Sequence, residues 1–340
     1  MPLRSGRPIT LEDVATEANV SRSTVSLVLR DSPLVAADTR KRVLASAKKL
    51  GYVPDRRAAS LRSRRSHMFG MIVPNVLSPV YGGMIDGVEH EFGVSNTLLA
   101  LSNSKDDLTR QSDALTQFVS HGVDGVILVA AVGTTAENLS RPLQMIGRKC
   151  VLVGRDVPGS DLDYAGPDNI RGAEMATEHL FERGHKVVAF VGGQGQSTTQ
   201  RDRVAGFRKA HEQKGVCCDD DLSVASPVTH KGGYEAITEL LSRRRDVTAL
   251  VCYNAAVAFG VLSGISRAGM TPGKDVAVVT FDHVEQAELW DPPITTVGVD
   301  PIQLGVRAAR LLVQRSNEPT GPRESVVLLP ELRIRESSSQ

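Results

Sequence analysis

The segment from Thr10 to Leu29, Thr-Leu-Glu-Asp-Val-Ala-Thr-Glu-Ala-Asn-Val-Ser-Arg-Ser-Thr-Val-Ser-Leu-Val-Leu, constrains this chain more than any other. Two short helices that pack near a right angle need small or apolar residues at fixed inward positions. Val14, Ala15, Val20, Val25 and Val28 occupy those positions. Thr10 with Asp13 three residues on forms a capping box for the first helix, and Ser21 caps the second. Asn19 takes the tight turn, where a left-handed backbone is wanted and Asn is among the few non-glycine residues that accept it. A third helical pattern follows, so residues 1–53 are expected to fold as a small all-α helix-turn-helix headpiece.

Charge tests that reading independently, because a nucleic-acid module is basic whatever its fold. Residues 1–66 hold 14 Lys+Arg against 6 Asp+Glu, a net of +8, which leaves 26 against 33, a net of −7, for the rest of a chain whose total is +1. A surface charge run by itself is usually just a solvated face. Here the basic head coincides with the helix-turn-helix pattern, which points to DNA. In such a motif the early residues of the second helix face base edges in the major groove. Arg22 and Ser23 are therefore the expected readers, with Arg22 able to hold a guanine edge in two hydrogen bonds or, alternatively, only a phosphate. Ser21 and Thr24 are expected on phosphates, and Thr10, Leu27, Arg30 and Tyr52 complete the contact candidates.

After residue 67 short apolar runs such as Phe69-Gly-Met-Ile-Val, Gly125-Val-Ile-Leu-Val, Cys150-Val-Leu-Val and Ala249-Leu-Val-Cys alternate with amphipathic stretches. Buried parallel strands look like this, and the helical stretches between them (84–92, 110–121, 171–183, 203–214, 234–243) make βαβ units and doubly wound sheets the expectation. The chain of 340 residues, 41% hydrophobic, is long enough for two or three cores. No stretch approaches the roughly 18 uncharged apolar residues that span a bilayer, and Met-Pro-Leu-Arg-Ser-Gly-Arg has no signal-peptide apolar region, so membrane insertion and export are not expected. Cys150, Cys217, Cys218 and Cys252 have neither disulfide-framework nor metal-ligand spacing and read as buried thiols of a reducing cytoplasm.

Enzyme motifs are missing. Val191-Gly-Gly-Gln-Gly-Gln follows a strand but matches neither the dinucleotide fingerprint nor a phosphate loop, and reads as a loop at a cleft mouth. His179 and His185, six residues apart, share no helix face, and the eight histidines include no HExxH. No G-x-S-x-G elbow is present. No catalytic residue, metal or cofactor is expected.

Blocks distributed along the chain resemble the lactose-repressor/galactose-repressor (LacI/GalR) family of bacterial transcription regulators: Thr10-Leu-Glu-Asp-Val-Ala, Val20-Ser-Arg-Ser-Thr-Val-Ser, Gly51-Tyr-Val-Pro, Asp168-Asn-Ile-Arg-Gly-Ala, Glu182-Arg-Gly-His, Arg203-Val-Ala-Gly-Phe, Gly233-Tyr-Glu-Ala, Phe281-Asp282 and Pro292-Pro-Ile-Thr-Thr. The resemblance implies a periplasmic-binding-protein-like core of two doubly wound α/β subdomains, 67–167 with 299–329 and 168–298 with 330–340. The chain is expected to cross between them near 166–168, 298–300 and 329–331, with a ligand cleft between. It also implies that residues 54–66 form a hinge helix, in which Ala58 contacts DNA and Leu61 wedges into the minor groove; the alternative is a flexible basic linker. At Leu27 the chain departs from the family, where a polar or basic residue is common.

In the cleft the resemblance places Arg203 and Asp282 on the two charged positions that hold a ligand's polar groups, the alternative being a structural salt bridge. Val80 and Tyr81 fall where an aromatic pair often packs on the ligand, and Asp168 and Asn254 are further candidates. Ala255 stands where an aspartate is common and Val228 where some members stack an aromatic, which turns the expectation from a planar purine toward a sugar or polyol. The implied protein is a cytoplasmic repressor, nucleoid-associated when bound, that binds a pseudo-palindromic operator as a homodimer. The tail from Arg333 to Gln340 lacks heptad leucines, so no tetramerising zipper is expected. Two other readings are a ligand-binding module that binds DNA only non-specifically and a sugar-active enzyme on the same α/β core. The wedge assignment yields a first test: Leu61→Ala is expected to weaken specific operator binding by roughly 1–3 kcal/mol and leave random-DNA binding nearly unchanged. Titrating both DNAs checks it, and equal losses would remove the wedge role.

Overall fold

The computed structural model describes residues 8–53, 66–93, 97–193 and 197–339. Its contacts divide the chain into two compact units between Ser66 and His67. Among its described residues the first holds three helices, α1 (Leu11–Ala18), α2 (Arg22–Leu29) and α3 (Ala37–Leu50). The Asp13 amide donates to Thr10 Oγ1 at 3.4 Å while the Thr10 amide donates back to Asp13 Oδ2 at 2.8 Å, so α1 begins on a complete capping box. Asn19 closes α1 in the left-handed region at φ 51°, and Ser21 accepts from the Thr24 amide to start α2. Val14, Ala15, Ala18, Val25, Val28, Val43 and Ala47 form the unit's small core, with Val20 only partly buried at its edge. Ala58 and Leu61 lie outside the described residues.

The second unit begins with β1 (Met68–Val73), α4 (Pro79–Gly93), β2 (Leu98–Asn103), α5 (Leu108–Ser120), β3 (Gly125–Leu128), α6 (Ala136–Leu143), β4 (Cys150–Val153) and β5 (Asp163–Pro167). It continues through α7 (Asn169–Glu182), β6 (Val188–Val191), α8 (Thr198–Lys214), β7 (Ser223–Val224), α9 (His230–Arg243), β8 (Ala249–Cys252), α10 (Ala255–Arg267) and β9 (Ala277–Phe281). The last elements are α11 (Glu285–Leu289), β10 (Thr295–Gly298), α12 (Pro301–Asn317), β11 (Ser325–Leu328) and β12 (Glu331–Arg333).

These strands make two six-stranded sheets, ordered β11-β5-β4-β3-β1-β2 and β12-β10-β9-β8-β6-β7. Every pairing is parallel except β10 with β12. The central strands β3, β4, β6, β8 and β9 are buried along their whole length, as sheets covered on both faces require. In the first sheet α4 and α12 cover one face and α5 and α6 the other. The α4–α12 approach depends on Gly87 and Gly305, since a β-carbon at either position would overlap the backbone of the facing helix. In the second sheet α7 packs on α8 and α9 on α10. The chain passes from one sheet to the other three times, at residues 167–169, 298–301 and 328–331.

Several helices start earlier than periodicity indicates, because polar caps rather than apolar spacing set their beginnings. Ser197 accepts from the Gln200 amide and moves the start of α8 to Thr198, and Thr229 accepts from Gly232 and moves α9 to His230. The cysteine reading needs correction: Cys150 and Cys252 are buried in strands, but Cys217 is exposed and Cys218 only partly buried. They follow α8 in a polar Cys-Cys-Asp-Asp-Asp segment, where no apolar run draws both thiols inward. Among the described residues no helix is long and apolar enough to cross a membrane.

One ion pair lies deep in the first sheet's unit. Arg315 donates to both carboxylate oxygens of Asp163 at 2.7 and 2.8 Å, both side chains are under 5% exposed, and Asp163 Oδ1 also accepts from the Glu324 amide. Such a pair adds little over an apolar replacement, whereas removing one member strands a buried charge. Asp163→Ala is therefore expected to cost about 3–5 kcal/mol, and Asp163→Leu with Arg315→Met to recover much of that loss, both read from urea denaturation.

Candidate functional site

The first candidate surface is the outer side of α2. Arg22 and Ser23 are exposed on its first turn, and Thr10 and Ser21 are exposed at the two caps. Ser21 Oγ lies 3.2 Å from Ser23 Oγ and 2.8 Å from Thr24 Oγ1, so the hydroxyls proposed for phosphate contacts satisfy one another without DNA. Arg30 folds back, donating from Nη2 to Ser26 Oγ at 2.6 Å and from Nε to the Ser26 carbonyl at 3.1 Å. Leu27 is partly buried beside α2's core face, and Tyr52 packs on the headpiece core while its amide donates to the Ala47 carbonyl. Arg22 and Ser23 are thus the most open of the expected readers, while Arg30 must leave Ser26 to reach DNA.

The second candidate site lies between the two sheets, at the carboxyl ends of their parallel strands, where open α/β sheets place ligands. Arg203, inside α8, is 6% exposed. Its Nε donates to Asn169 Oδ1 at 2.8 Å, its Nη1 donates to the Tyr253 carbonyl, and its guanidinium lies 3.8 Å from the Phe281 ring centroid. Nη2 is left facing Asp282 Oδ1 at 3.8 Å, too long for a direct hydrogen bond. Asp282 follows β9 in the left-handed region at φ 78°. Burial pushes its carboxyl above the usual carboxylate range, and the Arg203 charge only partly opposes that shift.

Across from this pair stand residues of the first sheet. Val80, at the start of α4, packs against the cores of both sheets, and Tyr81 packs on the first. Burial pushes the Tyr81 phenol up to about 12; Arg155 draws it down, while Tyr253, Asp106 and Asp282 act in the same direction as burial. Arg155, just beyond β4, donates to both Asp106 oxygens at 2.6 and 3.1 Å and to the Ala130 carbonyl. Two cross-sheet contacts hold the sides together: Thr198 Oγ1 donates to the Asp156 carbonyl at 3.0 Å and Thr199 Oγ1 to the Gly154 carbonyl at 3.3 Å. A small cavity of about 40 Å³ remains among Val80, Met84, Asp282, His283, Val299, Pro301 and Leu304.

Of the expected cleft residues, Val80, Tyr81, Arg203 and Asp282 converge on this gap. Asp168 and Asn254 are spent locally as caps: Asp168 Oδ1 accepts from the Arg171 amide at 2.9 Å and Asn254 Oδ1 from the Val257 amide at 3.0 Å. The glycine run after β6 keeps Gly192 and Gly193 at positive φ, and its continuation lies outside the described residues. Sequence reasoning missed Arg155, Asp106, Asn169 and Tyr253. Tyr253 directly follows an apolar strand run and Arg155 comes two residues after one, positions that could have flagged them. No cluster of three or more His, Cys, Asp or Glu side chains able to hold a metal occurs among the described residues.

The gap therefore offers alternating donors and acceptors, Arg203 and Arg155 against Asp282 and Asp106, on an aromatic and aliphatic lining. Their charges cancel pairwise, which suits hydroxyl groups that donate to a carboxylate and accept from a guanidinium. The Asp282 shift carries a stability consequence. Its folded-state pKa stands above the unfolded value, so the folded protein binds the extra proton in the window between them and loses stability as pH rises through it. Asp282→Asn is expected to raise the melting temperature of the ligand-free protein at neutral pH, with the gain fading once pH falls below that window. Melting curves across pH check this; an unchanged or lower melting temperature at neutral pH contradicts it.

Comparison with known proteins matches residues 10–55 to the bacterial regulatory proteins, lacI family, and residues 177–338 to the periplasmic binding protein-like domain. The maltose regulon regulatory protein MalI of Escherichia coli (strain K12) is 30% identical over 335 residues, covering 96% of this chain and 98% of MalI. The structure titled transcriptional regulator CelR-cellobiose complex is 31% identical with a TM-score of 0.74, over 97% of this chain and 100% of that one. The lac repressor dimer bound to operator and an anti-inducer shares the fold at TM-score 0.87 and 22% identity, over 98% of this chain and 99% of that one.

Proposed function

The chain belongs to the LacI family of bacterial regulatory proteins, and from that premise we propose that it regulates transcription by binding a pseudo-palindromic operator through residues 10–53, with a small polar effector, a sugar or related metabolite, bound between the two sheets and setting its affinity. It is a regulator and not an enzyme. The observation that carries the effector half is the buried Arg203 guanidinium, whose Nη2 faces Asp282 across 3.8 Å without closing on it. A ligand hydroxyl seated there would bridge the two, donating to Asp282 and accepting from Arg203. Sugars fit that requirement, and the CelR structure is titled as a cellobiose complex.

For DNA, Arg22 is the proposed base reader, with Ser23 beside it and Ser21, Thr24 and Thr10 on phosphates. Leu27 would meet a thymine methyl or no base. One small headpiece supplies too few contacts for typical specific affinity, so the proposed working unit is a homodimer on two half-sites, acting in the bacterial cytoplasm. We place the functional division of the core at the three crossings, with 67–167 and 299–329 as one effector-binding lobe and 168–298 and 330–340 as the other. Closure of the lobes on ligand would change how the paired headpieces and residues 54–66 engage DNA, making operator and effector thermodynamically linked.

The test is a thermal-shift screen of sugars, sugar phosphates, polyols, nucleosides and amino acids, followed by operator titration with and without any hit. A genuine effector at 100 times its dissociation constant is expected to stabilise the protein by about 2.7 kcal/mol, and Arg203→Ala to remove that shift. The operator dissociation constant should then change in the presence of the hit. A hit that survives Arg203→Ala, or an operator affinity indifferent to it, would reject the proposed cleft or its coupling.

A further inference from the structure

The helix that carries Arg203 inward has a second use for its opposite side. In α8 the buried face comprises Thr199, Arg203, Gly206, Phe207, Ala210 and His211. Arg201, Ala205 and Arg208 lie about half a helical turn away and face outward, with Val204 at the border, partly buried against the second sheet's core. There they line an open groove of about 720 Å³ with Ser197, Thr198, Gln200 and, from the segment after β4, Pro158. That volume falls within the range of small-molecule sites, whereas the cavity beside Asp282 is far smaller.

The groove has a definite chemical pattern. Val204, Ala205 and Pro158 form an apolar floor, and Arg201 and Arg208, seven residues apart and so roughly 10 Å along the helix axis, stand at its ends. Arg201 is paired only with its neighbour Asp202 at 2.9 Å, and Arg208 with Asp220, which is 97% exposed, at 3.1 Å. Exposed pairs of this kind are worth little and are readily exchanged for a better anion. Planar guanidinium forks favour carboxylate or phosphate ends.

We propose that this outer face of α8 is a second ligand site, distinct from the Arg203 gap, for an elongated organic dianion with an apolar middle. Its acidic ends meet Arg201 and Arg208, and its body covers Val204 and Ala205 and abuts Pro158. Because Pro158 follows the first sheet's β4 while α8 belongs to the second, the ligand clasps the two sides beside the Thr198–Asp156 and Thr199–Gly154 contacts. Occupancy of the outer site thereby bears on closure of the inner one.

The test uses the full chain and a ladder of α,ω-dicarboxylates from succinate to sebacate, followed by calorimetric titration and thermal shift. Affinity is expected to rise with chain length and pass an optimum where the carboxylates span the two guanidiniums. Arg201→Gln or Arg208→Gln should each weaken the best member by about tenfold, the loss of one charge-assisted contact, while Arg243→Gln, on the exposed side of α9, leaves it unchanged. Three results would overturn the proposal: no dicarboxylate binding at millimolar concentration, binding insensitive to both arginine substitutions, or binding weakened as much by Arg243→Gln, which would reduce the effect to general surface charge. None of these bears on whether a sugar binds at Arg203.

Discussion

A guanidinium that cannot shed its charge sits almost wholly out of water at the centre of the core, and the surrounding architecture answers to it. Arg203 would be prohibitive to bury alone. Asn169 at the start of α7, the Tyr253 carbonyl at the end of β8 and the Phe281 ring at the end of β9 each neutralise or cover part of it. Three separately folded segments are thus brought to one point by a single charge. Asp282 completes the set imperfectly: it is close enough to feel Arg203 and too far to bond it, and its own carboxyl is held above its ordinary range by burial. A gap left short of one bridging group is, under the proposed function, prepared for a ligand.

The threefold passage of the chain between the sheets gives that preparation mechanical meaning. A single connection would leave two lobes loosely tethered; three constrain their relative movement more tightly. Val80 packs on both cores, and the threonines of α8 reach carbonyls beyond β4, so small rearrangements in the gap must be felt on both sides. Packed interfaces of this kind move between discrete arrangements more readily than they deform continuously.

Much of this was legible because it is written locally. The Thr10–Asp13 capping box, Asn19 in its left-handed turn and the Ser21 cap each depend on residues within three positions, and all appear as the pattern indicates. The central strands were equally plain, since β3, β4, β6, β8 and β9 are continuous buried runs, whereas the exposed edge strands β2 and β12 carry no such mark. What remained hidden depends on residues far apart in sequence. Arg155 meets Asp106 across 49 positions and Arg203 meets Asn169 across 34, and neither pairing has a local mark. The caps cut the other way: Asp168 and Asn254 look like ligand groups in a strand-end context, yet each side chain closes a helix start. Cys217 and Cys218 were misjudged by residue type, because burial follows the segment that carries a thiol and not the thiol itself.

Charge segregation adds a constraint of its own. Were the excess of +8 in residues 1–66 spread over the whole chain, any part of it would adhere to DNA, and binding would report total charge rather than headpiece geometry. The net −7 of the remaining residues repels the polyanion instead, so attraction is confined to the module that reads bases. The same acidity leaves the guanidiniums of the core as local exceptions, each needing a specific partner. Arg155, Arg203 and Arg315 find theirs among carboxylates and carbonyls inside the fold, where the field of DNA does not compete for them. Attraction to the operator and recognition in the core can therefore be tuned separately, which is why the proposed function needs lobe closure to link them.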